Sequence, residues 1–332
     1  MSLCVGAVDI SYHDIARWVA QLLKGEEAAK NEAVYRAVFF EIRLPRTAMC
    51  VLVGAALSVS GAVMQSLFRN PIVEPGLVGT SAGAAFGAAL VFVFGSISIF
   101  NHAGVSGEVL LPVFAFVGGW CSTMLVYRLS LRFGKVNVNT MLLAGISMNA
   151  LAAAGTGFLS YIARDPQARS ITFWNLGTFS GADWRSVFIV FFTTSFVITM
   201  VLRYSQQLNL LQLGDTEAAY LGVHTEKIKK RLILLNTIMV ASATAMVGVI
   251  AFIGLLVPHV LRMLKGSDNR YLIIGSTLLG AIVMLGADMV CRVVIAPAEM
   301  PIGIISAFCG APLFLWMLMR NARNLNNMGI YD

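Results

Sequence analysis

Few residues in this chain are placed to make or break bonds, and the exceptions narrow what it can do. The four histidines, His13, His102, His224 and His259, are scattered, and none lies in the His-Glu-x-x-His pattern that sets two zinc ligands on one helix face. Gly134-Lys135 lacks both the earlier glycine and the following Ser or Thr of a phosphate-binding loop. The five cysteines, Cys4, Cys50, Cys121, Cys291 and Cys309, are far apart, with no Cys-x-x-Cys pair to clamp a metal or exchange thiols. They read as small buried hydrophobes. One carboxylate, Asp288, lies close to the interior of an apolar run, and Arg292 follows four residues later on the same helical face, which predicts a structural ion pair. No catalytic residue, metal site or covalently held cofactor is expected. Any energy source must be a partner or an ion gradient.

The elements that carry these residues are long and apolar. Arg43-Leu44-Pro45-Arg46 opens a charge-free run of 22 residues, Thr47 to Phe68, which closes on Arg69-Asn70-Pro71-Ile72-Val73-Glu74-Pro75-Gly76. At about 1.5 Å per residue such a run covers about 33 Å, enough to cross a hydrocarbon core of about 30 Å. Hydrophobic residues make up 58% of the 332 and charged residues 12%, with a mean hydropathy of +0.77, which excludes an ordinary soluble domain. The net charge of +7 sits in short clusters between apolar runs, as expected of loops facing anionic headgroups and not of a nucleic-acid-binding surface.

Similar windows run over Gly76 to Phe100, Val109 to Tyr127, Val136 to Ala163, Val187 to Leu202, Leu232 to Leu261, Tyr271 to Ala287 and Met300 to Met319. None alternates as a membrane barrel would, so each is read as helix. The Leu232 to Leu261 window contains Gly248, Gly254 and Pro258 and predicts two segments with a break, giving about nine spans. Basic clusters at Arg128 to Lys135, Lys227 to Arg231, Arg262 to Arg270 and Arg320 with Arg323 place those loops in the cytoplasm. The loops around Arg43 and Arg46, Arg164 to Arg185, and Arg292 to Glu299 then face outward. Glycine and alanine inside the spans predict closely packed helices. The cytoplasmic stretch Leu213 to Val223 predicts a short helix, with Asp215 and Glu217 in its first turn, Gly222 ending it, and Ala218, Leu221 and Val223 available to a groove on a soluble partner.

Taken in order, five segments resemble the FecCD family of ATP-binding-cassette permeases, which import ferric siderophores, heme and cobalamin in bacteria. They are Arg43 to Arg46; Phe68 to Pro71 with Pro75-Gly76; Gly214 to Val223; Phe252 to His259; and Ala298 to Gly303 with Gly310-Ala311-Pro312. The resemblance implies an all-α, polytopic bundle of the type II ABC importer kind in the bacterial inner membrane. It also implies a homodimer of ten-helix subunits, two cytoplasmic ATPase subunits that use the ATP, and a periplasmic binding protein. On it, Arg43, Arg46 and Arg292 match the arginines that dock the binding protein, and Asp215, Glu217, Ala218, Leu221 and Gly222 match the helix that couples to the ATPase. Asn137, Val138, Asn139 and Thr140 match the cytoplasmic gate.

The run Asp165 to Phe179 is most similar to the heme branch of that family, making Arg164, Arg169, Phe173 and Trp174 a candidate substrate path: arginines for propionates, aromatics for a planar macrocycle. The same residues suit interfacial anchoring, and ferric siderophore or cobalamin remain alternative cargoes. An ion-coupled secondary carrier is the alternative class. The expected divisions are 1–46, the end of a first helix plus a periplasmic segment; 47–323, the permease domain; and 324–332, a cytoplasmic tail. Leu3 to Ser11 resembles the end of the family's first helix, which implies either a misplaced start or a truncation; a misplaced start predicts an intact mass above 35.8 kDa. A mass equal to that value would refute a displaced start.

Overall fold

The computed structural model describes residues 11, 13–15, 17, 18, 21, 33–95, 107–296 and 298–327, and within them the chain is a helical bundle. Its helices are α1 (Leu44–Phe68), α2 (Thr80–Phe94), α3 (Gly107–Leu129), α4 (Val138–Ile162), α5 (Asp165–Asn175), α6 (Trp184–Arg203), α7 (Ser205–Leu213), α8 (Asp215–Tyr220), α9 (Thr225–Val247), α10 (Ile253–Lys265), α11 (Asn269–Val293) and α12 (Ile302–Asn327). A two-residue hairpin, β1 (Leu131–Arg132) and β2 (Lys135–Val136), precedes α4, with Leu131 opposite Val136.

Six described helices are long and apolar enough to cross a membrane, and Thr80–Phe94 and Ile302–Trp316 are shorter apolar helices. The break expected within Leu232 to Leu261 is present: α9 stops at Val247 and α10 starts at Ile253. With 13 residues, α10 is about 20 Å long and does not cross a bilayer alone, so the expected nine full spans are not reproduced by length and composition. The expected division at residue 46 falls inside a continuous helix, because Ala33–Ala37 and a π-helical turn, Val38–Arg43, run into α1. The division at 323 likewise falls inside α12. Residues 1–10, with Cys4, and His102 lie outside the described residues.

Helix α1 is the centre of the bundle, with 20 of its 25 residues buried, and packs against α6, α9, α10 and α11. Its contacts are backbone to backbone where glycines face each other. A Cβ on Gly54 would overlap the Gly280 carbonyl of α11, and one on Gly61 would overlap the Gly254 carbonyl of α10. Lipid tails are as apolar as leucine, so this close approach, and the dispersion contact it permits, holds the helices together where the hydrophobic effect cannot. Gln65 of α1 donates to the carbonyls of Gly254 and Leu255 at 3.3 Å, and Arg262 of α10 donates back to Gln65 Oε1 at 2.6 Å and to Ser66 Oγ at 3.1 Å. Cys50 and Cys291 are buried as expected, whereas Cys121 and Cys309 face outward from α3 and α12, which corrects the uniform reading of the cysteines.

Replacing Gly61 with Val puts branched carbons against the Gly254 backbone and is expected to abolish recovery of a monodisperse, detergent-purified protein. Recovery and thermal unfolding like those of the parent would refute the backbone-contact account of α1.

Candidate functional site

Three polar constellations stand out. At the N-terminal end of α1, Arg46 Nε and Nη2 lie 3.0 and 2.9 Å from Asp288 Oδ1, and Arg46 Nη1 lies 2.6 Å from Glu299 Oε1. Arg292 Nε lies 3.0 Å from Asp288 Oδ2, so the ion pair expected one turn apart on α11 is formed. Asp288 is 1% exposed and shared by both guanidiniums, so two buried cations are balanced by one buried carboxylate and one at the surface. Arg43, Arg46 and Arg292, the expected docking arginines, are all buried within the chain, which itself supplies carboxylates to Arg46 and Arg292. An unpaired guanidinium in an apolar bundle would be far costlier than one held this way.

The second constellation is a cavity of about 630 Å³ among α1, α2, α4, α5 and the break before α10. Its polar lining includes Glu74, Ser81, Asn149, Thr172 and Asn175, with the backbone from Val249 to Phe252 exposed to it. Interrupting a helix frees backbone groups that must find partners. Here Glu74 Oε2 accepts the Phe252 N–H at 3.3 Å, Thr178 N–H donates to Val247 O at 2.8 Å, and Asn149 Nδ2 donates to Gly76 O at 3.0 Å. Gly248, at φ +79°, makes the turn possible, since a Cβ there would overlap the Trp174 carbonyl.

Glu74 and Asn149 are site residues that sequence reasoning passed over. The available signal for Glu74 was an acid inside a Pro- and Gly-bounded segment flanked by apolar runs. The candidate path residues behave differently. Helix α5 lines the cavity through Ile171, Thr172, Asn175 and Leu176, whereas Arg164, Arg169 and Phe173 are exposed and Trp174 packs against the alanine cluster of Ala84, Ala88, Ala115 and Ala245. None of the four lines this cavity.

The third constellation lies at the end that the basic loops assign to the cytoplasm. Helix α8 forms where expected and closes in a Schellman turn, with Val223 N–H on Ala218 O and Gly222 N–H on Ala219 O, and with Gly222 at φ +84°. Tyr220 is 86% exposed and Leu221 and Glu217 also face out. Ala218 and Val223 are buried, correcting the expectation that they are open to a partner. Asn137 caps α4: its Oδ1 accepts the Thr140 N–H at 2.9 Å and Thr140 Oγ1 at 3.1 Å, and Asn139 is exposed beside it. The side chains of Arg320 and Arg323 lie outside the described set. Among the described residues, no group of three or more His, Cys, Asp or Glu is placed to hold a metal ion.

Asp288→Asn leaves Arg46 and Arg292 sharing no charged partner and is expected to cost about 3–5 kcal/mol of stability. Glu299→Gln, at a half-exposed position, is expected to cost less than about 1 kcal/mol. Chemical or thermal unfolding in detergent measures both, and equal losses would refute the buried network as described.

Comparison with known proteins bears on this architecture directly. The FecCD transport family matches residues 1–320. The chain is 40% identical over 321 residues to the hemin transport system permease protein HmuU of Yersinia pestis, covering 95% of this chain and 90% of that protein. It is 38% identical over 284 residues to the vitamin B12 import system permease protein BtuC of Salmonella paratyphi A, covering 86% and 84%. A solved metal-chelate type ABC transporter in an inward-facing conformation superposes with a TM-score of 0.82 at 32% identity, covering 96% of this chain and 94% of that one. PsaBC from Streptococcus pneumoniae, at 17% identity and a TM-score of 0.57, shares the fold. The five ordered segments, the glycine-packed bundle with its broken helix and the match over residues 1–320 agree: this chain belongs to the FecCD transport family.

Proposed function

We propose that this chain is the membrane permease subunit of a binding-protein-dependent ABC importer that carries heme, or another iron chelate, from periplasm to cytoplasm. The carrying observation is 40% identity to a hemin permease over 95% of the chain. The working unit on this reading is two copies of the chain with two ATPase subunits, which hydrolyse the ATP, and an external binding protein. The permease itself performs no bond chemistry and needs no covalent cofactor.

Helix α8 supports the ATPase contact. It projects Tyr220 and Leu221 from the bundle beside Glu217, an apolar tip with an acidic edge suited to a groove. At the outer end, binding-protein carboxylates would compete with Glu299 for Arg46, so docking would loosen one edge of the buried network without stripping Asp288. The residues from Asn137 to Thr140, at the capped start of α4, are the proposed cytoplasmic gate. Closure of the ATPase dimer would move α8 and shift the bundle between outward-open and inward-open packings.

Similarity to a cobalamin permease keeps that cargo, along with ferric siderophores, as the second reading. The test is uptake of labelled heme, ferric siderophore and cobalamin by cells with and without the gene. Selective loss of heme uptake is expected, and unchanged uptake of all three would overturn the assignment. Gly222→Arg is expected to abolish ATP-dependent uptake while external docking survives. Gly222→Asn, which tolerates the left-handed backbone, is expected to keep uptake. Uptake that withstands ATP depletion and collapses with an uncoupler would favour an ion-coupled carrier instead.

A further inference from the structure

Lys229, on the first turns of α9, is 2% exposed, an unusual location for an ammonium group. It is held by two carboxylates: Nζ lies 2.5 Å from Asp215 Oδ2, on α8, and 3.4 Å from Glu226 Oε1, one turn earlier on its own helix. The other oxygen of Glu226, Oε2, accepts the backbone N–H of Val136 at 2.8 Å. Val136 is the last residue of the hairpin, and Asn137, the cap of α4, follows it directly. Asp215 Oδ1 also faces Arg69 Nη2 at 3.8 Å, at the C-terminal end of α1.

These contacts form a continuous chain from the projecting helix α8, through a buried cation, to the start of α4. We propose that Lys229 is a positioning residue that couples α8 to the hairpin and the α4 cap, so that a displacement of α8 is delivered to the cytoplasmic end of the pathway. The proposal rests on the importer reading above and adds the link between its two cytoplasmic sites. Buried charge is what makes the link stiff. Pulling Asp215 away from Lys229 would leave a buried ammonium with Glu226, at 3.4 Å, in place of two carboxylates, which favours the lysine following α8. Glu226 is shared between Lys229 and the Val136 N–H, one oxygen to each, so a displacement of Lys229 bears on the carboxylate that holds the hairpin.

On this proposal the relay acts on the hairpin turn. The hairpin turn carries Phe133, fully solvent-exposed and at φ +50°, followed by Gly134 at φ +76°. A bulky side chain in the left-handed region is an uncommon and strained conformation. A small rotation of β2 swings this ring at the mouth of α4.

The test uses the intact importer, permease with its ATPase and binding protein, in proteoliposomes, with cargo import and ATP hydrolysis measured together. Lys229→Met is expected to leave ATP hydrolysis running while cargo moved per ATP falls roughly tenfold, a loss of coupling in the range measured for linked sites. Lys229→Arg, which keeps the charge, is expected to restore most of it. Glu226→Ala removes the step to the hairpin and the longer of the two carboxylate contacts of Lys229, leaves the Asp215 contact in place, and is expected to uncouple likewise, which covers the case in which Lys229→Met does not assemble. An Asn139→Cys reporter, read against the parent for background thiols, gives a signal that a merely structural role would not move. Its labelling by an impermeant maleimide is expected to change with ATP in the parent and not in Lys229→Met or Glu226→Ala. Parent-like import per ATP and parent-like ATP-dependent labelling in these variants would overturn the relay alone. A parent complex that hydrolyses ATP and imports none of the three cargoes would overturn the importer reading and the relay together.

Discussion

The fold depends on one constraint, the closeness with which α1 can approach its neighbours. In a bilayer the helices gain nothing by hiding apolar side chains from lipid, so what is left to hold them is dispersion contact at short range and the few polar groups that have partners. Gly54 against Gly280 and Gly61 against Gly254 bring backbones together. Once α1 and α10 are that close, Gln65 reaches the carbonyls of Gly254 and Leu255, and Arg262 reaches Gln65 and Ser66. Polar satisfaction follows from packing here, because none of these bonds could span a wider gap.

The interrupted helix follows from the same closeness. A break inside a membrane protein is tolerable only where protein or a water-lined cavity supplies partners. The chain meets that requirement from two directions: Glu74, from the segment after α1, accepts the Phe252 N–H, and Thr178, from the turn after α5, donates to the Val247 carbonyl. The cavity is bounded by these repairs. Among the described residues its lining holds one carboxylate, several neutral polar groups and no arginine or lysine.

The buried ion pairs of the described residues lie toward the two ends of the bundle, where they do different work. At the outer end Arg46, Asp288, Arg292 and Glu299 lock α1 to α11 and to the loop before α12. At the other end Arg69, Asp215, Lys229 and Glu226 join α1, α8, α9 and the hairpin. In both, a buried group is shared between two partners, so displacing one partner leaves the other ion incompletely balanced.

The sequence by itself determined the membrane class, the all-helical architecture, the break near Gly248, the short helix ending at Gly222 and the Asp288–Arg292 pair. These are local matters of hydropathy, backbone conformation and i,i+4 spacing, and they are legible because the determining residues lie within a few turns of one another. The sequence did not determine which way Ala218 faces, that Arg46 is buried against Asp288, that Glu74 folds back to cap a break far along the chain, or that Lys229 bridges two elements. Arg46 and Asp288 are 242 residues apart, and Glu74 and Phe252 are 178 apart. No periodicity reports pairings of that range, since they exist only once glycine-scale packing has set which helices touch. The same reasoning explains why α10 looked like part of a full span: its composition is that of a membrane helix, and only its position against Gly61 and Glu74 makes it a half-length one.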